Sequence, residues 1–234
     1  MKLEINGLTH VYDVEVLHQL KLTLESYHSV AIIGVSGSGK STLLRILSGL
    51  ETPTEGDVTV NGYDVRDPDY KKKVGFVFQS HNLFPHLTLE KNITLILEKT
   101  REIPKDQARM QARKYLDVLQ LSDQIHKLPK NVSGGQAQRA SIARALSLDP
   151  DVIFLDEPTS ALDPILTHEV LTAIRELKGF GKDFIFVSHV MSFVEDFADY
   201  VIFMHEGHIV EQGTPDMLKR PQSAALQAFM QKVH

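Results

Sequence analysis

The order of hydrophobic and polar residues predicts two exposed strands, followed by alternating strands and helices. Residues 2–6 and 11–22 alternate apolar and polar side chains, which is typical of strands with one exposed face. Short uninterrupted apolar runs instead indicate strands that are buried on both faces. Four such runs occur, at residues 29–35, 74–78, 152–155 and 184–187.

Turn residues support further strand predictions. Asn61-Gly62 ends a strand that begins at Gly56, because an Asn-Gly pair favours a tight hairpin turn. Glu206-Gly207 separates residues 200–204 from 208–210, and we expect these two segments to pair.

Helical periodicity dominates the middle of the chain. Thr88 and Ser133 are residue types that cap helices, and we expect helices from them to about Lys99 and Ala145. Pro104 suits the first turn of another helix, which reaches about Gln120. The other predicted helices are residues 42–48, residues 166–178 with Gly179 as their end, residues 193–197, and a short tail after Pro215.

These elements predict an α/β protein with a mostly parallel core sheet and an antiparallel amino-terminal part. We interpret residues 1–234 as a single domain. Within it, a helical subdomain of about residues 88–146 is expected as an insertion into the α/β core.

Composition excludes several classes of protein. The net charge of −5 argues against binding to nucleic acid through overall charge. No apolar run approaches the roughly 20 residues of a membrane-spanning helix. The chain has no cysteine, so disulfide bonds cannot support the fold. We therefore expect a soluble, cytoplasmic protein.

One segment fits the pattern G-x-x-x-x-G-K-[ST] between a predicted strand and a predicted helix, namely Gly34-Val-Ser-Gly-Ser-Gly-Lys-Ser41. Gly37 and Gly39 allow backbone N–H groups to turn toward phosphate oxygens, and the helix start adds the positive end of its dipole. Lys40 is expected to neutralise the β- and γ-phosphates, and the Ser41 hydroxyl to hold Mg²⁺.

Two carboxylates follow the buried strand VIFLD. Asp156 ends the strand, where a carboxylate can reach the Mg²⁺ shell of a bound nucleotide. Glu157 comes next and is suited to polarise the water that attacks the γ-phosphate. A second helix start, Ser133-Gly-Gly-Gln136, has the same anion-binding character as the first. The residues alone do not say why one chain needs both.

In the order of these motifs the chain resembles the ATP-binding subunits of ABC transporters over essentially its whole length. Gly34–Ser41 is similar to the Walker A loop of that family, and Val152–Glu157 to the Walker B strand with its catalytic glutamate. The further matches are Gln79 to the Q-loop, Ser133–Gln136 to the signature motif, Ser160–Asp163 to the D-loop, His189 to the switch histidine, and Tyr12 to the aromatic residue placed against adenine.

The resemblance implies a P-loop ATPase with a RecA-like core that binds ATP and Mg²⁺ and hydrolyses ATP. The residues implied to bind ATP are Tyr12, Gly34, Ser36, Gly37, Ser38, Gly39, Lys40, Ser41 and Thr42. Those implied to act in catalysis are Glu157, His189 and Gln79, and those implied to hold the metal are Ser41, Gln79 and Asp156.

The family also suggests why the chain has two helix starts. Its ATPase subunits pack head to tail, so that the signature motif of one closes on the ATP held by the other. The residues implied to serve the partner's ATP are Ser133, Gly134, Gly135, Gln136 and Asp163. The implied partners are a second copy of the chain, transmembrane permease subunits and a substrate-binding protein, with no nucleic acid. The implied place is the cytoplasmic face of a bacterial inner membrane.

Several segments are most similar to ATPases of polar amino-acid importers: QSHNLFPHLTLEKNI, DEPTSALDP and FADYVIFMHEGHIVEQGTP. Three positions differ from the family pattern, which usually has Leu at Val132, Gln at Ala137 and an acid at Val190. The alternatives are an ATPase of an exporter or of a lipid- or lipoprotein-handling complex, a non-transport ABC protein, and a nucleotide-binding module without hydrolysis. Glu157 and His189 argue against the last.

Overall fold

The computed structural model describes residues 1–233, whose contacts form two compact units. The first unit comprises Met1–Val74, Phe154–Asp156 and the described residues from Asp183 onward. The second comprises Gly75–Ile153 and Glu157–Lys182. Each unit therefore joins segments that are distant in sequence. Within residues 1–233, every helix is too short or too polar to cross a membrane.

The described chain forms ten strands and eight α-helices. The strands are β1 (Lys2–Val11), β2 (Glu15–Glu25), β3 (Ser29–Gly34), β4 (Glu55–Val60), β5 (Tyr63–Asp64), β6 (Val74–Val77), β7 (Val152–Asp156), β8 (Asp183–Val187), β9 (Tyr200–His205) and β10 (His208–Gly213). The helices are α1 (Lys40–Leu47), α2 (Pro68–Lys71), α3 (Leu89–Thr100), α4 (Lys105–Val118), α5 (Gly134–Ser147), α6 (Pro164–Leu177), α7 (Met191–Phe197) and α8 (Ala224–Val233).

An antiparallel sheet of the order β2-β1-β4-β5 forms the amino-terminal part of the first unit, as predicted. The turn at Asn61-Gly62 is confirmed, and both residues adopt the positive φ angles, 50° and 82°, that a tight hairpin requires. The predicted start of the second strand at Val11 is wrong. Tyr12 begins a turn, with its N–H bonded to the Val14 carbonyl at 3.1 Å, so β2 begins at Glu15.

The other sheet of the first unit runs β10-β9-β3-β8, with the end of β7 beside β8. β3 pairs in parallel with β8 and β9, and Ile32 lies opposite both Val187 and Ile202. β9 and β10 form the predicted antiparallel hairpin around Glu206-Gly207. All six residues of β3 are buried, which explains its uninterrupted apolar sequence.

The second unit contains β6 beside the first residues of β7, together with α3, α4, α5 and α6. Its helical core is built from residues at helical spacing on the inner faces of α3 and α4. These fully buried residues are Leu89, Ile93, Leu97, Ala108, Ala112 and Leu116. The three helices predicted between residues 88 and 146 therefore form. Their interpretation as an inserted subdomain stays a prediction, since the unit that contains them extends beyond both limits.

Helix ends test the capping predictions. Thr88 and Ser133 are confirmed as caps, and each side-chain oxygen accepts a hydrogen bond of 3.2 Å from the backbone three residues later. Pro104 precedes α4 instead of lying in its first turn, because its ψ of 142° is not helical. The end predicted at Gly179 is also wrong. α6 ends at Leu177, a 3-10 turn follows, and Gly181 provides the left-handed residue with φ 69°.

Candidate functional site

The loop from β3 into α1 leaves the start of α1 open to an anion. Gly39 precedes the helix with φ 91°, and a Cβ atom there would lie 2.6 Å from the Leu17 side chain. No side chain caps α1, and its first turn has no acidic residue. The first N–H groups of a helix have no partner within it, so those of α1 are available to phosphate oxygens.

The same loop buries polar side chains that suit a phosphate group. The Ser38 side chain is 1% exposed, and its hydroxyl has no hydrogen-bond partner within residues 1–233. Lys40 is 5% exposed, and its Nζ donates to the Val35 carbonyl at 2.9 Å. A buried ammonium group and an unsatisfied hydroxyl beside an uncapped helix start are a fitting environment for a polyphosphate.

The predicted metal ligands Ser41 and Asp156 are brought into contact. Ser41 Oγ donates to Asp156 Oδ1 at 2.8 Å, and Asp156 is 4% exposed. Arg45 Nη2 lies 3.9 Å from the other carboxylate oxygen, a neighbour that sequence analysis missed. A hydroxyl and a buried carboxylate are the oxygen donors that Mg²⁺ prefers, so these residues fit the ion.

Tyr12 lies beside the first turn of α1 with an exposed face. The side chain is 48% exposed, so part of the ring surface is open for stacking. Burial of its hydroxyl, followed by a hydrogen bond to the Glu51 carboxylate, raises the pKa of Tyr12, and the Thr42 hydroxyl acts in the opposite direction. The His10 and Tyr12 rings pack nearly perpendicular to each other, with their centroids 4.6 Å apart. The sequence did not predict that Glu51 and His10 contact Tyr12, because neither residue belongs to a recognisable motif.

Glu157 and His189 each follow the end of a strand. Glu157 has φ 45°, a left-handed conformation that is unfavourable for a residue with a side chain, and its carbonyl accepts from Ser160 N–H at 3.2 Å. Backbone strain of this kind is frequent at functional sites. His189 is exposed just after β8, next to the strand that leads into the Gly34 loop. Their approach to a shared water stays a prediction.

The second helix start, at α5, is capped by its own residues. Ser133 Oγ accepts from Gln136 N–H at 3.2 Å, and Gln136 Oε1 accepts from Ser133 N–H at 3.1 Å. A Cβ atom on Gly134 would lie 3.0 Å from Leu162, and one on Gly135 3.2 Å from Leu166. The small residues therefore allow the start of α5 to pack against the start of α6.

The start of α6 is capped by Asp163. Its carboxylate accepts from the N–H groups of Ile165 and Leu166 at 2.9 and 3.0 Å. Ile165, the second residue of α6, is 74% exposed. The structure thus brings the predicted signature and D-loop residues together within the second unit, beside an exposed aliphatic side chain.

Gln79 is exposed, two residues after the end of β6. Residues on both sides of it are hydrogen-bonded to Gln138 and Arg144 of α5. Sequence analysis missed these two side chains, because their hydrogen bonds join residues that are 60 and 62 positions apart in the sequence.

Known proteins resemble this chain over nearly its full length. The family model described as ABC transporter matches residues 17–160. The glutamine transport ATP-binding protein GlnQ of Escherichia coli is 43% identical, covering 97% of this chain and 98% of that protein. The histidine/lysine/arginine/ornithine transport ATP-binding protein HisP of the same organism is 42% identical, covering 92% and 91%. A dimeric structure of the ATP-binding cassette MJ0796 bound to ADP and Pi has a TM-score of 0.80 and 31% identity, covering 91% and 98%.

Proposed function

Because the chain belongs to the ABC transporter family of ATP-binding proteins, we propose that this ATPase powers the import of a polar amino acid through separate permease subunits. The observation that carries the proposal is the match of nearly the whole chain to ATPases named for glutamine and for histidine, lysine, arginine and ornithine transport. These names favour amino-acid import over the exporter and lipid-handling alternatives.

The first helix start holds the nucleotide in this proposal. The backbone of residues 34–42, with the side chains of Ser36 and Ser38, surrounds the phosphates, and Lys40 neutralises their charge. Tyr12 stacks on adenine through its exposed ring face. Ser41 and Asp156 would hold Mg²⁺, with Gln79 completing the site. When bound, Mg²⁺ neutralises charge that develops on the phosphate oxygens.

Glu157 and His189 prepare the attacking water. The Glu157 carboxylate orients the water and accepts its proton, and the left-handed backbone at this residue sets the direction of the side chain. His189 donates a hydrogen bond toward the γ-phosphate and keeps the water and Glu157 aligned.

A second copy of the chain completes each nucleotide site. The Ser133 hydroxyl accepts one bond within its capping box, which leaves its proton free for a phosphate oxygen of the partner's ATP. Gly134, Gly135 and Gln136 contribute the helix start, and Asp163 with the exposed Ile165 lies on the same face. ATP then favours the closed dimer, because it contacts both chains only in that state. The dimeric MJ0796 structure supports this arrangement.

A groove on the second unit suits a permease segment. It has a volume of about 320 Å³ and is lined by His86, Leu87, Glu90, Lys91, Thr94, Leu95, Glu98, Lys105 and Arg109. The preceding loop is held rigidly, since the buried Asn92 side chain accepts from Phe84 N–H at 2.6 Å and donates to the Leu87 carbonyl at 3.1 Å.

Three apolar residues lie on this loop, Leu83, Phe84 and Leu87, and Phe84 is 38% exposed. We propose that a short cytoplasmic helix of a permease docks in this groove. The ATPase then lies on the cytoplasmic face of the membrane, and a substrate-binding protein delivers the amino acid on the other side.

The transport proposal is tested by purifying the tagged chain with its membrane partners and reconstituting the complex in vesicles. We expect ATP to drive uptake of at least one of labelled glutamine, arginine and histidine when the substrate-binding protein is supplied on the side opposite the ATPase. Movement of these amino acids only away from that side would favour export. The absence of a permease in the purified complex would contradict the proposal.

Glu157→Gln tests the assignment of the catalytic base. We expect turnover to fall by on the order of 10²–10⁴, because the amide cannot accept the proton of the attacking water. The affinity for ATP should stay unchanged, since Glu157 does not belong to the phosphate loop. Phosphate release and the binding of a fluorescent ATP analogue measure the two quantities. Hydrolysis at the wild-type rate would remove Glu157 from this role.

A further inference from the structure

The buried side chain of Gln138 connects α5 to both sides of Gln79. Gln138 is 0% exposed. Its Oε1 accepts from the Nδ1–H of His81 at 2.5 Å, and its Nε2 donates to the Phe78 carbonyl at 3.4 Å. One amide therefore bonds the residue that precedes Gln79 and the second residue that follows it.

Arg144 makes a second connection from the same helix. Its Nη1 donates to the Asn82 carbonyl at 2.7 Å, and its Nη2 to the His81 carbonyl at 3.3 Å. Arg144 is half-buried, and this burial lowers the pKa of its guanidinium. The planar fork of arginine matches two carbonyl groups on one segment, a geometry that a lysine cannot reproduce.

Gln79 itself differs from its neighbours, because its side chain is exposed and has no hydrogen bond among the described residues. The backbone on both sides is held by α5, while the side chain remains available to a nucleotide site. The residues around Gln79 are therefore tied to α5 by hydrogen bonds.

α5 is a regular helix from Gly134 to Ser147, opened by the Ser133 cap. A regular helix is a stiff element that can carry a displacement from one of its ends to the other. A displacement at Ser133 is consequently carried to Gln138 and Arg144, and through them to residues 78–82.

We propose that Gln138 and Arg144 are positioning residues that make the Gln79 of each chain follow the closure of its own Ser133 helix start on the partner's ATP. The inference rests on the proposed function, in which Ser133 contacts the partner's nucleotide and Gln79 serves its own. It links the two sites within one chain, so that hydrolysis at one site depends on ATP at the other.

Mixed dimers separate this role from simple support of the fold. In the first mixture, the Gln138→Leu chain is combined with a large excess of the Glu157→Gln chain. Only the Gln138→Leu chain then provides a site that can hydrolyse ATP. In the second mixture, the wild-type chain is combined with an excess of the Glu157→Gln/Gln138→Leu chain. The Gln138→Leu substitution then lies on the partner of the chain that hydrolyses ATP. Wild-type chain with excess Glu157→Gln is the reference, and first-turnover phosphate release is the measurement.

We expect the first mixture to lose about 10- to 100-fold in rate, because a catalytic group that is misplaced by an ångström has effects of this size. The second mixture should stay within about twofold of the reference, because the partner's Gln79 serves only a site that cannot hydrolyse. Equal losses in both mixtures would show that Gln138 only supports α5 and would overturn the inference. Losses confined to the second mixture, or none in either, would also overturn it.

Arg144 provides a second variant if Gln138→Leu folds poorly. Arg144→Leu should reproduce the loss in the first mixture, and Arg144→Lys should restore only part of the rate, since it keeps the charge but not the fork. Thermal unfolding and ATP affinity are measured for every chain, and both should match the wild type for Arg144→Lys. Full rates for both Arg144 variants would overturn its part in the inference.

A double variant tests whether Ser133 and Gln138 act through the same connection to Gln79. Ser133→Ala on the hydrolysing chain should lower the rate, and adding Gln138→Leu should cause little further loss, because both interrupt the same connection. If the two substitutions lower the rate by fully additive amounts in free energy, Ser133 and Gln138 act independently and the inferred connection is overturned. Failure of the proposed function is recognised separately: wild-type chain that forms no ATP-dependent dimer with the Glu157→Gln chain in the reference mixture would contradict the shared nucleotide sites, whatever the effect of Gln138→Leu.

Discussion

The two helix starts of this protein look alike in sequence and differ in structure. α1 begins after Gly39 without a side-chain cap, beside the buried Lys40 and the unsatisfied hydroxyl of Ser38. α5 begins with a complete capping box between Ser133 and Gln136 and has no acidic or basic residue in its first turn. The first start therefore lacks a side-chain acceptor for its N–H groups and can receive an anion, whereas the second start supplies its own cap.

This difference suggests a division of labour. A site with free N–H groups and a buried ammonium group can hold a polyphosphate within one chain. A self-capped helix start offers only the hydroxyl proton and the remaining N–H groups, so its attraction to a phosphate is weaker. A weak second contact suits a dimer that closes on ATP and reopens after hydrolysis, because tight closure would prevent release.

Lys40→Ala gives the sharpest test of the first helix start. We expect the affinity of the isolated chain for ATP to fall by about 100-fold, since hydrogen bonds from charged groups to phosphates contribute about 1.5–3 kcal/mol each. Equilibrium binding of a fluorescent ATP analogue measures the change. Lys71→Ala removes an exposed lysine and serves as the control. An unchanged affinity in the Lys40 variant would mean that the loop does not hold the phosphates.

Ser133→Ala tests the second helix start and should have a smaller effect. The isolated chain should bind ATP normally, while ATP-driven dimerisation in the Glu157→Gln background weakens about tenfold for each of the two nucleotide sites, because each site loses one hydrogen bond to a charged group. Light scattering at increasing protein concentration measures the dimerisation constant. Weaker ATP binding by the isolated chain would break the comparison, because it would place Ser133 in the chain's own site.

Ser133→Asp separates capping from phosphate contact. An aspartate caps a helix as well as serine does, so thermal stability should match the wild type, whereas alanine costs about 1 kcal/mol. The negative charge should nevertheless prevent ATP-driven dimerisation, because it would face the partner's phosphate. Dimerisation of the aspartate variant at the wild-type level would show that Ser133 has only a capping role.

Asp163 offers the smallest and most selective test. Asp163→Ala should lower the free energy of unfolding by about 1 kcal/mol, because two N–H groups of α6 lose their acceptor, whereas Asp163→Asn should keep the cap. If the carboxylate also acts across the dimer, the asparagine variant should still lose turnover severalfold. Chemical unfolding and phosphate release measure the two effects. Turnover at the wild-type rate in Asp163→Asn would show that Asp163 only caps α6.

Much of the fold was predictable because the relevant signals are local. The uninterrupted apolar run of β3, the Asn61-Gly62 turn and the caps at Thr88 and Ser133 each depend on residues adjacent in sequence. The end of α6 was not predictable in this way. Gly179 and Gly181 are equally suited to end a helix, and the backbone continued through the first as a 3-10 turn.

Predictions of the site followed the same rule. Gly34–Ser41 and the carboxylates at 156 and 157 were predicted from short patterns. Ser41 and Asp156 were both expected at Mg²⁺, and their hydrogen bond agrees with that expectation. Glu51 beside Tyr12 had no such signal. A glutamate in the loop between α1 and β4 looks like any solvated charge in the sequence until the fold places it near the tyrosine hydroxyl.

The sequence by itself determined the motifs from which the chemistry is predicted, namely the glycine-rich loop, the two carboxylates and the second helix start, and with them the family to which the chain belongs. Only the tertiary structure decided that one helix start is uncapped and the other self-capped, and that Gln138 and Arg144 hold the residues around Gln79. The reason is physical. Residue type and short spacing specify which groups are present, whereas hydrogen bonds between segments far apart in sequence exist only after the core has brought those segments together.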